Sequence, residues 1–179
     1  MKKEAFINLE KQIFNGNLLD IGFSNHGIIY NIYKQHTDDY TNVDYIEGNE
    51  EKIRIEEDSY DSCALFFTLS DIRFAYSKSK LIQDIYKFLK NDGLLYIWDI
   101  DKGFVKIFNS KIKIMLPDKS TKQICLKDLN VFKDSSKEKT IKVLQPYFEV
   151  LTMKNSDGIY YMVCKKKGKT KDESIVSGS

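Results

Sequence analysis

The chain has 179 residues, 42% of them hydrophobic and 13% aromatic, enough for one globular domain with a sizeable core. Its 28 Lys+Arg and 26 Asp+Glu nearly cancel, so no global field draws it to nucleic acid or to an acidic membrane. Three scattered cysteines (Cys63, Cys125, Cys164) and two histidines (His26, His36) argue against a disulfide framework and a histidine-rich metal site.

The first ten residues carry charge throughout, and no apolar run reaches the length of a membrane span. The default is a cytoplasmic protein with neither membrane nor nucleic-acid partner. From about residue 2 to 14, Phe6, Leu9, Ile13 and Phe14 recur at helical spacing and predict a helix, stopped by "NGN". "LLDI", residues 18–21, is a short apolar strand. "GFSNHG" turns the chain, and "IIYNIYKQ" starts a second helix. "TDDYTN" is a loop, "VDYI" (43–46) a strand and "EGNEEK" a turn.

"SCALFFT" is a nearly continuous apolar run, the pattern of a strand buried on both faces. "KSKLIQDIYKFLKNDG" is the clearest helix, with Leu81, Ile82, Ile85, Phe88 and Leu89 as its stripe and Gly93 at the place of a glycine cap. "LLYIWDI" (94–100) is another buried strand. "KIKIMLPDKSTKQICL" alternates about a Pro-Asp-Lys-Ser turn and predicts a hairpin. "SKEKTIKVLQPY" is a helix ending near Pro146, and "FEVLTMKNSDGIYYMVCKKK" is two strands about a turn, closing on lysines that suit a solvated strand end. The expected organisation is one domain over residues 1–167, with an inserted hairpin at about 104–128 and a flexible tail over 168–179.

Strands alternating with helices predict an α/β architecture with a mostly parallel sheet and an antiparallel C-terminal pair. Such a sheet takes its ligand outside the carboxyl ends of its strands. That singles out residues 20–27, 47–49, 68–71 and 99–103.

The succession of "LLDIGFSNHG", "EEDSYDSCALFFTLSDI", "LIQDIYKFLKNDGLLYIWDI" and "YFEVL…YYMVCKKK" resembles the class I S-adenosylmethionine-dependent methyltransferases. The resemblance runs from Leu18 to about Lys167 and is most specific in "SYDS" and "FLKNDGLLYIWDI". It implies a Rossmann-like methyltransferase fold and S-adenosylmethionine as cofactor. By the same resemblance Asp20, Gly22, Ser24 and Gly27 form the first cofactor loop. An acid at the strand end can meet the ligand's ammonium, and glycine lets backbone approach it closely. The family pattern is Asp-x-Gly-x-Gly-x-Gly. Here Ser24 replaces the second glycine, His26 the third, and Gly27 comes one step late.

From Asp20 to Asp61 there are 61 − 20 = 41 residues, too few for the two strand–helix units the family places there. About one unit is shortened or lost. Residues 43–49 are either the family's second strand, with Glu47 as the ribose acid, or its third, with Asn49 near the adenine. The third-strand threading is preferred. Thr68, after the fourth family strand, is a further cofactor candidate, while Asp61 reads as a structural brace. Asp99 and Asp101 end the fifth strand and are the candidate bases. The leading expectation is methyl transfer to an unidentified acceptor, most simply a small molecule. The alternatives are a catalytically inactive binding or scaffold module and, further back, a nicotinamide-binding protein, because "GFSNHG" and the 20-residue step from Gly27 to Glu47 also approach that fingerprint.

Overall fold

The computed structural model describes residues 3–23, 27–36, 43–47 and 55–168, and only the backbone of Lys3, Val43, Ile46 and Glu47. In chain order the elements are β1 (Lys3–Asn8), β2 (Leu18–Gly22), α1 (Ile28–Lys34), β3 (Val43–Glu47), β4 (Tyr60–Phe66), α2 (Ala75–Phe88), β5 (Leu89–Ile100), β6 (Phe108–Met115), β7 (Thr121–Asp128), α3 (Lys137–Leu144), β8 (Phe148–Ser156) and β9 (Ile159–Lys166).

Strands that are apolar on both faces build the main sheet. Leu18, Leu19, Cys63, Ala64, Leu65, Leu95 and Ile97 are all enclosed. The order is β3-β2-β4-β5-β9-β8. β3, β2, β4 and β5 run parallel, and β9 returns antiparallel to β5 and to β8. The β8–β9 turn places Asp157 at φ 55 and Gly158 at φ 76, the two positive values that a tight two-residue hairpin demands. One face of the sheet packs against α1 through Ile28, Ile29 and Ile32. The opposite face takes Ile82 and Ile85 of α2 and Leu144 of α3. This is the α/β, Rossmann-like arrangement expected, with three helices among the described residues.

The N-terminal segment corrects the sequence expectation. Residues 3–8 form a strand, not a helix. Ala5, Ile7 and Leu9 are buried while Phe6 is 49% exposed, a period of two that overrides the helical spacing of Phe6, Leu9, Ile13 and Phe14. β1 pairs parallel with β6, and β6 antiparallel with β7, giving a second sheet of order β1-β6-β7. Ile112, Ile114 and Ile124 turn its inner face onto the α1 side of the main sheet.

Helix α2 ends at Phe88, and Gly93 is not its cap. Leu89 is already extended, and the pairing with β4 steps from Tyr60↔Leu89 to Ser62↔Leu94. Asp92 takes the positive φ of 65 in this bulge. Gly93 is needed for close approach instead: a Cβ there would lie 2.8 Å from the Lys90 carbonyl oxygen.

The expectation for the closing lysines fails at Lys166. It is 5% exposed, and its Nζ lies 2.8 Å from Asp58 and donates also to the Leu89 carbonyl. The expected tail lies outside the described residues from 169 onward. Among the described residues no helix is long and apolar enough to cross a membrane.

Candidate functional site

The carboxyl ends of β2, β3, β4 and β5 come together along one edge of the main sheet. β2 delivers Asp20 and Gly22. Alternation along the strand sends Leu19 and Ile21 to the α2 side and Leu18 and Asp20 to the α1 side. Asp20 is 6% exposed, and among the described residues no hydrogen bond or ion pair reaches its carboxylate. Burial pushes it up to about 7. Gly22 closes the strand, and its carbonyl accepts from the Tyr45 hydroxyl at 3.2 Å. Gly27, at φ 64, caps α1 in the left-handed region that glycine tolerates best. Ser24, His26 and Asn49 lie outside the described residues.

β3 pairs directly with β2 on the side away from β4, with Gly22 opposite Glu47. In a doubly wound sheet the second strand occupies that place. The preferred threading is therefore corrected: residues 43–47 form the second strand of the family, and no third is present among the described residues. The pairing partner, not the sequence spacing, decides this. Glu47 thus ends the strand beside the glycine loop. Asn49 follows that strand rather than a third one.

β4 ends at a strained point. Phe67 has φ 57, unusual for an aromatic residue, and its amide donates to the Trp98 carbonyl at 2.7 Å. Next to it, buried Thr68 donates its hydroxyl to the Ile21 carbonyl at 2.6 Å. At the end of β5, Asp99 is 1% exposed. One of its oxygens accepts from the Ser70 amide at 3.0 Å and the other from the Ile100 amide at 2.7 Å. Burial raises it to about 6 against the pull of those bonds. Asp101 accepts from Lys137 Nζ at 2.8 Å, from the Lys137 amide at 3.1 Å and from Asn155. Burial works to raise its pKa, but the Lys137 and Asn155 contacts prevail and hold it below the usual carboxylate range. Asp61 stands at the opposite end of the sheet, where it accepts from the Asn17 amide and from Lys90.

Three residues here were not anticipated. Lys102 is 1% exposed and donates to the carbonyls of Asn130, Lys133 and Lys106. Its Nζ lies 3.6 Å from Asp128, which also pairs with Lys133 at 2.8 Å. This buried knot fixes the loops on either side of the β6–β7 hairpin. Lys122, on β7, faces the glycine loop: its Nζ is 3.9 Å from where a side chain at Gly27 would begin. The signal for Lys122 was legible, since Lys122, Ile124 and Leu126 share one face at period two. Nothing local marks Lys102 or Lys133 for burial.

A parallel sheet with an acid-then-glycine turn at its first central strand and a closing antiparallel hairpin defines a class I S-adenosylmethionine-dependent methyltransferase fold. The chain belongs to the ubiE/COQ5 methyltransferase family, which it matches over residues 7–118. No curated protein matches the sequence. Among solved structures it resembles an S-adenosylmethionine-dependent methyltransferase from Clostridium acetobutylicum, at 10% identity and a TM-score of 0.58, over 89% of this chain and 87% of that one. It also resembles a SAM-dependent methyltransferase from Methanosarcina mazei, at 11% identity and 0.53, over 85% and 92%. A third is the [4+2]-cyclase SpnF, at 10% identity and 0.53, over 87% and 76%. At these identities the likeness is one of fold, and the cyclase illustrates that one fold serves different reactions.

Proposed function

We propose that this chain is a cytoplasmic enzyme that binds S-adenosylmethionine across the ends of β2, β3 and β4 and transfers its methyl group to a small-molecule acceptor. The carrying observation is Asp20, a carboxylate buried beside Gly22 with no hydrogen-bond or ion-pair partner among the described residues. A buried charge without a partner is costly, and an incoming ammonium removes that cost. The donor set therefore fits the amino-acid end of the cofactor. Gly22 and Gly27 keep side chains away from it. Glu47, opposite Gly22 at the end of the second strand, is the residue for the ribose hydroxyls. Ser24 and Asn49 are assigned to the cofactor by resemblance alone. Thr68 shapes the cradle from behind, because its hydroxyl is already spent on Ile21.

The cofactor, when bound, supplies an electrophilic methyl group. The chain's own part is alignment. Asp99 gives both oxygens to backbone amides and Asp101 is held by Lys137, so neither is placed as an open proton acceptor. Catalysis then rests on orientation of donor and acceptor, and the acceptor must bring its own nucleophile. The same two engaged carboxylates, with no third-strand unit among the described residues, favour the second reading, a methyltransferase-like binding module.

Isothermal titration with S-adenosylmethionine and with S-adenosylhomocysteine tests the first point. Micromolar affinity, about −8 kcal/mol, supports the cofactor site and justifies an acceptor screen. No heat and no thermal shift at millimolar ligand overturns it.

A further inference from the structure

Two loops flank the open end of the β6–β7 hairpin, residues 101–107 before β6 and 129–136 after β7. They lie side by side, because Phe108 stands opposite Asp128 and the Val105 amide donates to the Val131 carbonyl at 2.9 Å. From them Phe104, Val105, Ile107, Leu129 and Phe132 face solvent, with Val105 85% and Phe132 87% exposed. Single exposed apolar side chains are ordinary, but a group of them on two adjoining loops marks an interaction site. Val105 adds a second cost. Its φ of 60 is an outlier for a β-branched residue. Such a conformation persists only where its surroundings impose it. Here the Val131 carbonyl takes its amide, and buried Lys102 ties down the Lys106 and Asn130 carbonyls beside it. The fold thus holds an apolar side chain out in water, on a strained backbone, with little gained in the core.

Lys106 and Lys127 stand exposed among these side chains, and no hydrogen bond or ion pair reaches their ammonium groups among the described residues. Asp128, the one acid within residues 104–107 and 127–132, is turned inward onto Lys102 and Lys133. The outer surface of the two loops is therefore apolar and cationic, although the chain as a whole is near neutral.

We propose that this double loop docks the protein on a lipid bilayer with anionic headgroups. The apolar side chains enter the interface, and Lys106 and Lys127 meet the lipid phosphates. Side chains this exposed stand apart as prongs. A fluid interface closes around separate prongs, whereas a protein partner would need a fitted hollow for each. Backbone that enters such an interface must bring its polar groups already satisfied. Lys102 does this for the carbonyls of Lys106, Asn130 and Lys133, and the Val105 amide does it for Val131. The docking is peripheral, needs no membrane-spanning helix and does not depend on the cofactor reading above.

The test is co-sedimentation of the full chain with two kinds of vesicle, phosphatidylcholine alone and phosphatidylcholine mixed with phosphatidylglycerol. The variants are Phe132→Ser, Val105→Gly, Lys106→Gln and Lys127→Gln. All four change exposed side chains, so each should fold, which thermal melting checks. The wild type should pellet with the mixed vesicles and less with phosphatidylcholine alone. Phe132→Ser should weaken partition into the mixed vesicles by about tenfold or more, the worth of one buried aromatic side chain. Each lysine change should weaken it by about fivefold and leave the binding to phosphatidylcholine unchanged. Val105→Gly should bind less while melting no lower than the wild type, because glycine accepts the positive φ. A wild type that stays in the supernatant with the mixed vesicles overturns the proposal. So does a Phe132→Ser variant that pellets as well as the wild type. Self-association of the wild type without lipid, seen in sedimentation velocity and abolished by Phe132→Ser, overturns it too and makes the double loop a contact between copies of this chain.

Discussion

The Thr68 hydroxyl donates to the Ile21 carbonyl at 2.6 Å and so stitches the end of β4 to the end of β2, one residue before Gly22. Both partners are buried, so the bond cannot be exchanged for one to water without opening the site. Thr68→Val keeps the shape and removes the donor. It should cost about 1–3 kcal/mol by leaving the carbonyl unsatisfied. Thr68→Ser should recover most of that in urea denaturation. Equal stability of the Val variant and the wild type would show that the stitch carries nothing.

Asp20 makes stability depend on pH in a defined direction. Its carboxyl is raised from 3.8 to about 7 in the folded chain. Below the unfolded value both states are protonated and the group contributes nothing. Between about 4 and 7 the folded state keeps a proton that the unfolded state releases, so stability falls as pH rises. Asp99, raised to about 6, adds a contribution of the same sign. For Asp20 alone the loss is on the order of 4 kcal/mol at pH 8. Asp20→Asn should therefore melt higher than the wild type at pH 8, with the gap closing by pH 4. The same variant should bind S-adenosylmethionine more weakly. A pH-independent gap would remove Asp20 as the titrating group.

Gly93 is held by contact rather than by φ. A methyl there meets the Lys90 carbonyl oxygen at 2.8 Å and the Leu89 Cβ at 3.0 Å. Gly93→Ala should cost about 1–3 kcal/mol, the range for overpacking. A chemical denaturation midpoint equal to the wild type's would show that the bulge yields freely.

Lys102→Met should be the most damaging of these changes. It takes the ammonium away from the carbonyls of Asn130, Lys133 and Lys106, of which Asn130's keeps the Lys133 amide, while Asp128 keeps Lys133. A cost of about 3 kcal/mol follows from removing one member of a buried, hydrogen-bonded charge network. Limited proteolysis should then cut between residues 102 and 133 first. Resistance equal to the wild type's would refute the knot.

Much of the main sheet was legible because its strands are buried on both faces and carry nearly continuous apolar letters, as in "LLDI" and "SCALFF". The β6–β7 hairpin was legible from its alternation. β1 was not, because "KEAFINLEKQIF" satisfies two periods at once and its partner is more than a hundred residues away. The place of β3 was not either: its letters say strand, and only the hydrogen-bond partner says which one. At the site, Asp20 and Gly22 stand where the motif put them. Thr68 and Asp99 sit at the right strand ends, but their polar atoms serve neighbouring backbone groups, which composition and spacing do not encode.

The parallel pairing of residues 3–8 with 110–115 has a consequence in time. During synthesis the N-terminal strand leaves the ribosome with its partner still unmade, and more than a hundred residues must follow before Met115 can meet Asn8. Pairing across so long a stretch is slow. Until then Ala5, Ile7 and Leu9 face water as a short sticky segment. The inner sheet therefore closes late over the α1 side of the main sheet, and a refolding experiment should show the main sheet's protection before that of residues 5–9. Residues 3–8 are thus among the last of the described strands to find their place.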